Sequence, residues 1–296
     1  MDGLRTLSNE LAAAVEHAGQ AVFGINARPR LGSAGVHWRP GLIVTADHTV
    51  HVDEELTVTR PDGRVVTATV AGRDPAIDIA ILKVDAPDVP VADVGDSNAV
   101  RVGHIVLAIG PGPRASWGVV SAMGTGGGGR SASGELLSLD LTLYPGFSGG
   151  PLVDVQGRVV GVNTSGASRH SQLTIPATAV NRVLDELVRR GRIPRAYLGV
   201  GTQQVRLPEG LRRQCNLDQE TAVIVVDVQP GSPASGAGLL IGDLIVSLGG
   251  TSIMEPADLK SVLRPDRVGE SMIASVIRGG EPRDLQIHVG ERPRRS

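Results

Sequence analysis

The chain is poorest in cysteine, with Cys215 alone among 296 residues. An intrachain disulfide is therefore impossible, and the composition reads as a reducing compartment or a disulfide-free design. With no histidine near it in sequence, Cys215 reads as a buried or incidental thiol. Aromatic residues make up 2%, which excludes a stacking platform for nucleic-acid bases. The formal net charge is −2, so no electrostatic ground exists for a nucleic-acid or membrane-surface partner. Nowhere do about eighteen apolar residues run together, so no membrane span is predicted. The first twenty residues have no basic segment leading into an apolar core, hence no signal peptide. On that ground the expected location is cytoplasmic, the alternative being an extracytoplasmic protein whose targeting segment has been removed.

What is there is aliphatic: 41% of residues are apolar and 20% charged, the balance of a globular chain long enough for two cores. Leu4, Leu7, Leu11, Ala14, Val15 and Ala18 recur at helical spacing and predict an amphipathic N-terminal helix over residues 1–20. From Val22 to Thr174 short apolar runs alternate with Gly, Pro, Asp and Asn. Leu56–Arg60 and Arg64–Ala71 flank Pro61-Asp62-Gly63, a turn signal between alternating segments. Further strands are expected at Ile79–Val84, His104–Ile109, Trp117–Met123, Leu136–Thr142, Pro151–Val155 and Arg158–Asn163. Evenly spaced short strands argue an all-β barrel or sandwich. The glycine-rich stretch Gly124–Gly134 lacks the GK[ST] ending of a phosphate loop and reads as a surface loop. A helix follows Pro176, with Val180, Val183, Leu184, Leu187 and Val188 on one face and Arg189-Arg190-Gly191 closing it. The pattern then resets near residue 193, and residues 193–296 hold short strands with helical pieces near Ser232–Leu239 and Glu255–Leu263.

The strongest chemical signal is Tyr144-Pro-Gly-Phe-Ser148-Gly-Gly-Pro-Leu152. A serine nucleophile needs an exposed hydroxyl on a tight turn, with backbone N–H groups aimed at the developing oxyanion. Glycines permit such a turn. The backbone of Gly146, Phe147 and Ser148 is the expected oxyanion hole, with the Gly146 and Ser148 N–H groups as its natural donors. The general base expected is His48, where the apolar run Gly41-Leu-Ile-Val-Thr-Ala ends in a polar turn. Its orienting carboxylate is expected from Asp78, which leads directly into an apolar strand. Asp74 is the rival, although Pro75 after it suggests a turn. His48 and His51 also form an HxxH pair near Asp53, Glu54 and Glu55. No third ligand is patterned, so neither metal nor cofactor is expected. Histidine, aspartate and serine in that order, each at a strand end of one β domain, point to nucleophilic hydrolysis.

With those segments in view, the chain resembles the HtrA/Deg serine proteases. The likeness is carried by the runs around His48, Asp78 and Ser148, by Gly118-Val-Val-Ser-Ala122, by Gly157-Arg-Val-Val-Gly-Val-Asn-Thr164, and by Ile175-Pro176 through Tyr197-Leu-Gly-Val200. It implies a chymotrypsin-like double six-stranded β-barrel over residues 21–192 and a PDZ-like α+β domain over 193–296. It implies a serine endopeptidase of unfolded or misfolded proteins, acting in protein quality control without a cofactor. It implies substrate contacts at Thr142, Leu143, Asn163, Thr164, Ser165 and Gly166. It also implies a loop at Tyr197, Leu198, Gly199 and Val200 that captures C-terminal peptides, with Val262 and Leu263 lining the groove. An acid six positions before the serine marks cleavage after basic residues. Thr142 stands there, between Leu141 and Leu143, so small or aliphatic P1 residues are expected. Gly124–Gly134 takes the place of the family's sensor loop, expected to couple PDZ occupancy to residues 145–148. The family usually has Asn before the serine where this chain has Phe147, which excludes a trypsin-type zymogen carboxylate at that point. The aromatic cluster of family trimers is missing from the N-terminal region, against the homotrimer that the resemblance implies. The rival readings are a catalytically silent PDZ scaffold or holdase and a narrow-specificity processing protease.

Overall fold

The computed structural model describes residues 2–27, 32–51, 54–112, 114–124, 136–166 and 172–292. Most of the glycine-rich stretch expected as a sensor loop, residues 125–134, and Asp53 of the histidine cluster lie outside the described residues. Two units are present, Met1–Ile193 and Pro194–Ser296.

The first unit holds two closed six-stranded antiparallel barrels. Helix α1 (Asp2–Gly19) precedes the first barrel, built from β1 (Val22–Ile25), β2 (Ser33–Arg39), β3 (Leu42–Ala46), β4 (Glu55–Thr59), β5 (Val65–Asp74) and β6 (Ile79–Val84). The second uses β7 (Ile105–Gly110), β8 (Arg114–Gly124), β9 (Leu136–Asp140), β10 (Pro151–Val153), β11 (Val159–Thr164) and β12 (Gln172–Pro176). The strand order repeats: β1-β2-β3-β6-β5-β4 in one and β10-β11-β12-β9-β8-β7 in the other. Pro61-Asp62-Gly63 makes the turn between β4 and β5, with Gly63 at φ +86° and Asp62 accepting the Arg64 N–H at 3.0 Å. Full closure leaves neither barrel a free edge.

Each barrel has its own apolar filling, with Phe23, Ile25, Ile43, Val58 and Leu82 in the first and Val106, Val120, Leu137, Phe147 and Leu152 in the second. A third cluster joins them. Val36, Trp38, Val44, Ile79 and Ile81 of the first barrel meet Leu107, Ile109, Val162 and Ile175 of the second. Helix α2 (Ala177–Arg190) lays Val180, Leu184 and Leu187 onto this seam, each fully buried and worth roughly 1.5–3 kcal/mol. The approach is close: a side chain on Gly72 of β5 would stand 2.4 Å from the Leu187 carbonyl. Gly191 ends the helix at φ +74°, its N–H donating to Leu187 O at 2.9 Å. Ala14 and Ala18 of α1 join the same cluster, while Leu4 is exposed. The seam matters because it holds two barrel rims in fixed relation.

The second unit is a sheet of order β14 (Val200–Arg206), β15 (Thr221–Val228), β16 (Leu244–Leu248), β18 (Ser271–Arg278) and β19 (Glu281–His288). β17 (Thr251–Ser252) pairs with β16, and β13 (Ala196–Tyr197) pairs with β20 (Gly290–Glu291). Three short helices complete it, α3 (Glu209–Gln214), α4 (Pro233–Gly236) and α5 (Pro256–Val262). Its core contains Leu198, Val223, Val225, Ile245, Leu248, Leu259 and Ile287. No described helix of the chain is long and apolar enough to cross a membrane.

Candidate active site

β3 ends at Ala46, and a single 3₁₀ turn over Asp47–Thr49 carries His48 out of the barrel wall. Arg73 of β5 pins this turn, its Nε on Asp47 Oδ1 at 2.5 Å and its Nη2 on the Val50 carbonyl at 2.7 Å. Burial pushes the Asp47 carboxyl above its usual range, with the Arg73 hydrogen bond and charge working against that rise. Asp78 faces His48 from the turn before β6. Its φ is +59°, a left-handed conformation that aspartate tolerates better than most residues. The carboxylate serves His48 twice. Oδ1 accepts the His48 backbone N–H at 2.8 Å, and Oδ2 lies 2.8 Å from Nδ1. An ionised carboxylate only accepts, so Nδ1 carries the proton and Nε2 is the basic nitrogen. The rival Asp74 is buried and caps a turn, accepting the Ala76 N–H at 3.0 Å.

The nucleophile turn comes from the second barrel. Phe147 N–H donates to Tyr144 O at 3.0 Å, closing a four-residue turn with Pro145 and Gly146 at its centre. Proline fixes a negative φ at the first central position, and Gly146 has φ +95° at the second, which makes the turn type II. Beyond it, Gly149 N–H donates to Asn163 O at 2.8 Å and Gly150 N–H to Phe147 O at 3.0 Å. Ala34 N–H of the first barrel donates to Ser148 O at 2.9 Å, tying the two rims together at the serine. Gly149 has no room for a side chain, since a Cβ would stand 2.2 Å from Ala34 O and 2.3 Å from Thr45 Oγ1. Ser148 Oγ lies 2.9 Å from Ser165 Oγ, and Ser165 Oγ lies 3.4 Å from His48 Nε2. The three expected residues thus converge at the seam between barrels, with a second serine hydroxyl touching both nucleophile and base.

Several expectations change at this level of detail. The Phe147 N–H is already committed to Tyr144 O, so of the three backbone groups only those of Gly146 and Ser148 stay candidates for an oxyanion. Asn163 is fully buried and is not a substrate contact by its side chain. Its Nδ2 donates to Pro151 O at 2.9 Å, its Oδ1 accepts from Thr174 Oγ1 at 2.8 Å, and its main chain holds the nucleophile turn. Thr164 is buried as well, and its hydroxyl donates to Asp78 Oδ2. This third partner of the carboxylate escaped the sequence reading because threonine in an apolar strand reads as an ordinary β-former. Thr142 is exposed, whereas a pocket floor is enclosed, while Leu141 and Leu143 pack against the second barrel's core. Gly166 lies against the imidazole: a Cβ there would be 2.7 Å from His48 Nδ1.

Comparison with known proteins gives this arrangement its relatives. A trypsin-like peptidase domain matches residues 32–162, and a PDZ domain matches residues 196–289. A probable periplasmic serine endoprotease, DegP-like, from a Marinomonas species is 33% identical over 307 residues and takes in 97% of this chain and 64% of its own length. A protein of the same description from Hahella chejuensis is 34% identical over 88% of this chain and 57% of its own length. A solved structure of the HtrA-type protease AlgW with a tripeptide superposes with a TM-score of 0.77 at 29% identity, covering 96% of this chain and 98% of that one. The chain therefore carries a trypsin-like peptidase domain followed by one PDZ domain, and it is similar to DegP-like serine endoproteases and HtrA-type proteases. It spans 64% and 57% of the length of the two curated relatives. Their periplasmic names correct the expected cytoplasmic placement and point to an extracytoplasmic location.

In the unit that matches a PDZ domain, the peptide loop implied by the resemblance is Tyr197, Leu198, Gly199 and Val200. The Leu198 carbonyl accepts Ala234 N–H at 2.9 Å and the Gly199 carbonyl accepts Gln229 N–H at 2.8 Å, while the Tyr197 hydroxyl donates to Gln229. Gly199 has φ +81° and sits too close to Ser232 for any Cβ. The loop is therefore held rigid by its carbonyls, and β14, which leaves it, is an edge strand of the sheet. Val262 and Leu263 pack partly buried at the end of α5.

Proposed function

We propose that this chain is a serine endopeptidase acting on unfolded or misfolded proteins outside the cytoplasm. The observation that carries the reading is the double grip of Asp78 on His48, at 2.8 Å to the backbone N–H and 2.8 Å to Nδ1, beside Ser148. Ser148 Oγ attacks the scissile carbonyl carbon while His48 Nε2 takes its proton. Asp78 keeps the imidazole in the required tautomer and stabilises the imidazolium. The Gly146 and Ser148 N–H groups stabilise the oxyanion. The protonated His48 then gives its proton to the leaving amine, and an acyl-enzyme forms on Ser148. Water, deprotonated by His48, releases the acid product and regenerates the serine. The Ser165 hydroxyl, 2.9 Å from Ser148 Oγ, withdraws before attack.

Residues 142–147 and 163–166 contain no carboxylate, which supports cleavage after small or aliphatic residues over basic ones. The rigid loop at Tyr197–Val200 and the open edge of β14 support capture of a C-terminal peptide by strand addition. A fluorophosphonate probe should label the folded chain at Ser148 and fail on Ser148→Ala, with casein degraded only by the former. A folded chain that neither labels nor digests casein would instead be a PDZ scaffold that kept its barrels.

A further inference from the structure

Arg114 opens β8 and lies over the nucleophile turn. Its Nε donates to Pro111 O at 3.1 Å, and its Nη1 reaches Pro145 O in a long contact of 3.5 Å. Its guanidinium carbon stands 5.7 Å from the centre of the Phe147 ring, within cation–π range. The ring itself is buried in the second barrel, in the space left by the missing side chain of Gly110, where a Cβ would come within 2.4 Å. Tyr144 meets its edge at 5.7 Å. The turn 144–147 is therefore anchored by its own ring, and the guanidinium over that ring also reaches the turn's Pro145 carbonyl. A Cβ added at Gly146 would lie 3.1 Å from Arg114 Nη2.

This placement bears on a single amide. Type I and type II turns differ by a flip of the central peptide, which here joins Pro145 to Gly146. Proline has the same φ in both. Glycine adopts the positive φ of one and the negative φ of the other without steric cost. The Pro-Gly pair thus leaves the flip open. In a trans peptide the carbonyl and the N–H point in opposite directions. Holding Pro145 O toward Arg114 therefore turns the Gly146 N–H away from the guanidinium and keeps the turn type II.

We propose that Arg114, seated on Phe147, is a positioning residue that holds the Gly146 amide in its oxyanion-binding orientation. The inference rests on the endopeptidase reading of Ser148. Its test uses the full chain with Arg114→Ala and Arg114→Lys. Arg114→Ala should lower kcat about 10- to 100-fold, at or below the ~10²–10³ that deleting an oxyanion donor costs. KM should stay within about twofold, because the amide acts on the transition state. Affinity for a peptide boronic acid, whose adduct places an oxygen where the oxyanion forms, should fall by the same factor as kcat/KM. Tm should move by no more than about 2 °C. Lysine, which keeps the cation over the ring, should recover part of the rate. A crystal structure of Arg114→Ala should show Gly146 at negative φ. Unchanged kcat and boronate affinity in a folded, probe-labelled Arg114→Ala would overturn the proposal. If the parent chain neither labels nor cleaves, the endopeptidase reading fails on its own. The crystal structure still decides on Arg114, because a retained positive φ at Gly146 refutes its role and a negative φ supports it.

Discussion

Ser165→Ala is the most informative single change at the site. In the structure its hydroxyl lies 2.9 Å from Ser148 Oγ and 3.4 Å from His48 Nε2. Direct proton transfer from nucleophile to base needs that hydroxyl out of the way. The first contact is a good hydrogen bond by distance and the second is marginal. A net intramolecular hydrogen bond is worth about 0.5–1.5 kcal/mol. The His48 side chain is 28% exposed, so water replaces part of what is lost. At 1.36 kcal/mol per factor of ten, removing the hydroxyl should raise reactivity about 2- to 12-fold. The assay is the second-order rate of fluorophosphonate labelling, which depends little on peptide pockets, followed by kcat/KM on a short peptide. Ser165→Thr keeps a hydroxyl and should stay near the parent rate. A loss of tenfold or more in Ser165→Ala would refute the reasoning, since it would make Ser165 a proton relay or a support for His48.

Other perturbations test neighbouring parts of the chain. In Gly166→Ala the new methyl would lie 2.7 Å from His48 Nδ1 and 3.0 Å from Asp78 Oδ2. Displacing the imidazole by this route should lower kcat/KM on the order of 10²-fold with Tm nearly unchanged; equal losses of Tm and activity would mean the barrel rim had failed instead. Phe147→Ala empties a buried aromatic site and should cost about 3–5 kcal/mol in denaturant unfolding, and a loss under about 1 kcal/mol would show that the ring is not anchored in the barrel core. In the PDZ unit, buried Asp243 holds Arg278 through two 2.7 Å contacts and accepts the Leu240 N–H at 2.8 Å. Burial pushes this carboxyl up most strongly, but the Arg278 bond, the Leu240 N–H and the charges of Arg278 and Arg283 together bring it below 3.8. A depressed carboxylate stabilises the fold above its unfolded pKa, so this contribution should persist down to about pH 4 and be lost as pH falls further. Arg278→Met leaves the buried charge without its ion-pair partner and should cost about 3 kcal/mol near neutral pH; melting curves of the two chains that stay equally spaced down to pH 2.5 would exclude the pair as the source.

Local pattern carried the strands well. Ile79–Val84 is a β-strand over the residues that a short apolar run with flanking turn residues indicated, and Pro61-Asp62-Gly63 makes the expected hairpin turn. Proline before and glycine after are also what bound α2. The order of His48, Asp78 and Ser148 was legible because each ends or begins an apolar run. What stayed hidden are contacts between distant stretches. Thr164 and Asp78 are 86 positions apart, and nothing in either run announces that a strand of the second barrel delivers a hydroxyl to a carboxylate of the first. Ser165 and Gly166 reach His48 by the same inter-barrel route. At Asn163 the resemblance implies a substrate contact, whereas its buried side chain bonds Pro151 O and Thr174 Oγ1 and its main chain holds the nucleophile turn, as buried polar groups mostly satisfy one another.

Phe147 shows how a local departure is absorbed by such distant contacts. Read in its own turn, a large aromatic beside the nucleophile threatens the tight backbone that the oxyanion hole needs. In the structure the ring leaves the turn altogether and becomes part of the second barrel's core. That is possible because Gly110, on a neighbouring strand, yields the space. The main chain keeps its own requirements: Gly146 at φ +95°, Gly149 at φ +84°, and the Phe147 amide bonded within the turn. The chemistry uses only this main chain, so a hydrophobic anchor can serve as well as a polar one. The substitution then makes the turn answer to the packing of the barrel. Gly110→Ala, which touches no reacting atom, should therefore disturb Ser148 through the ring.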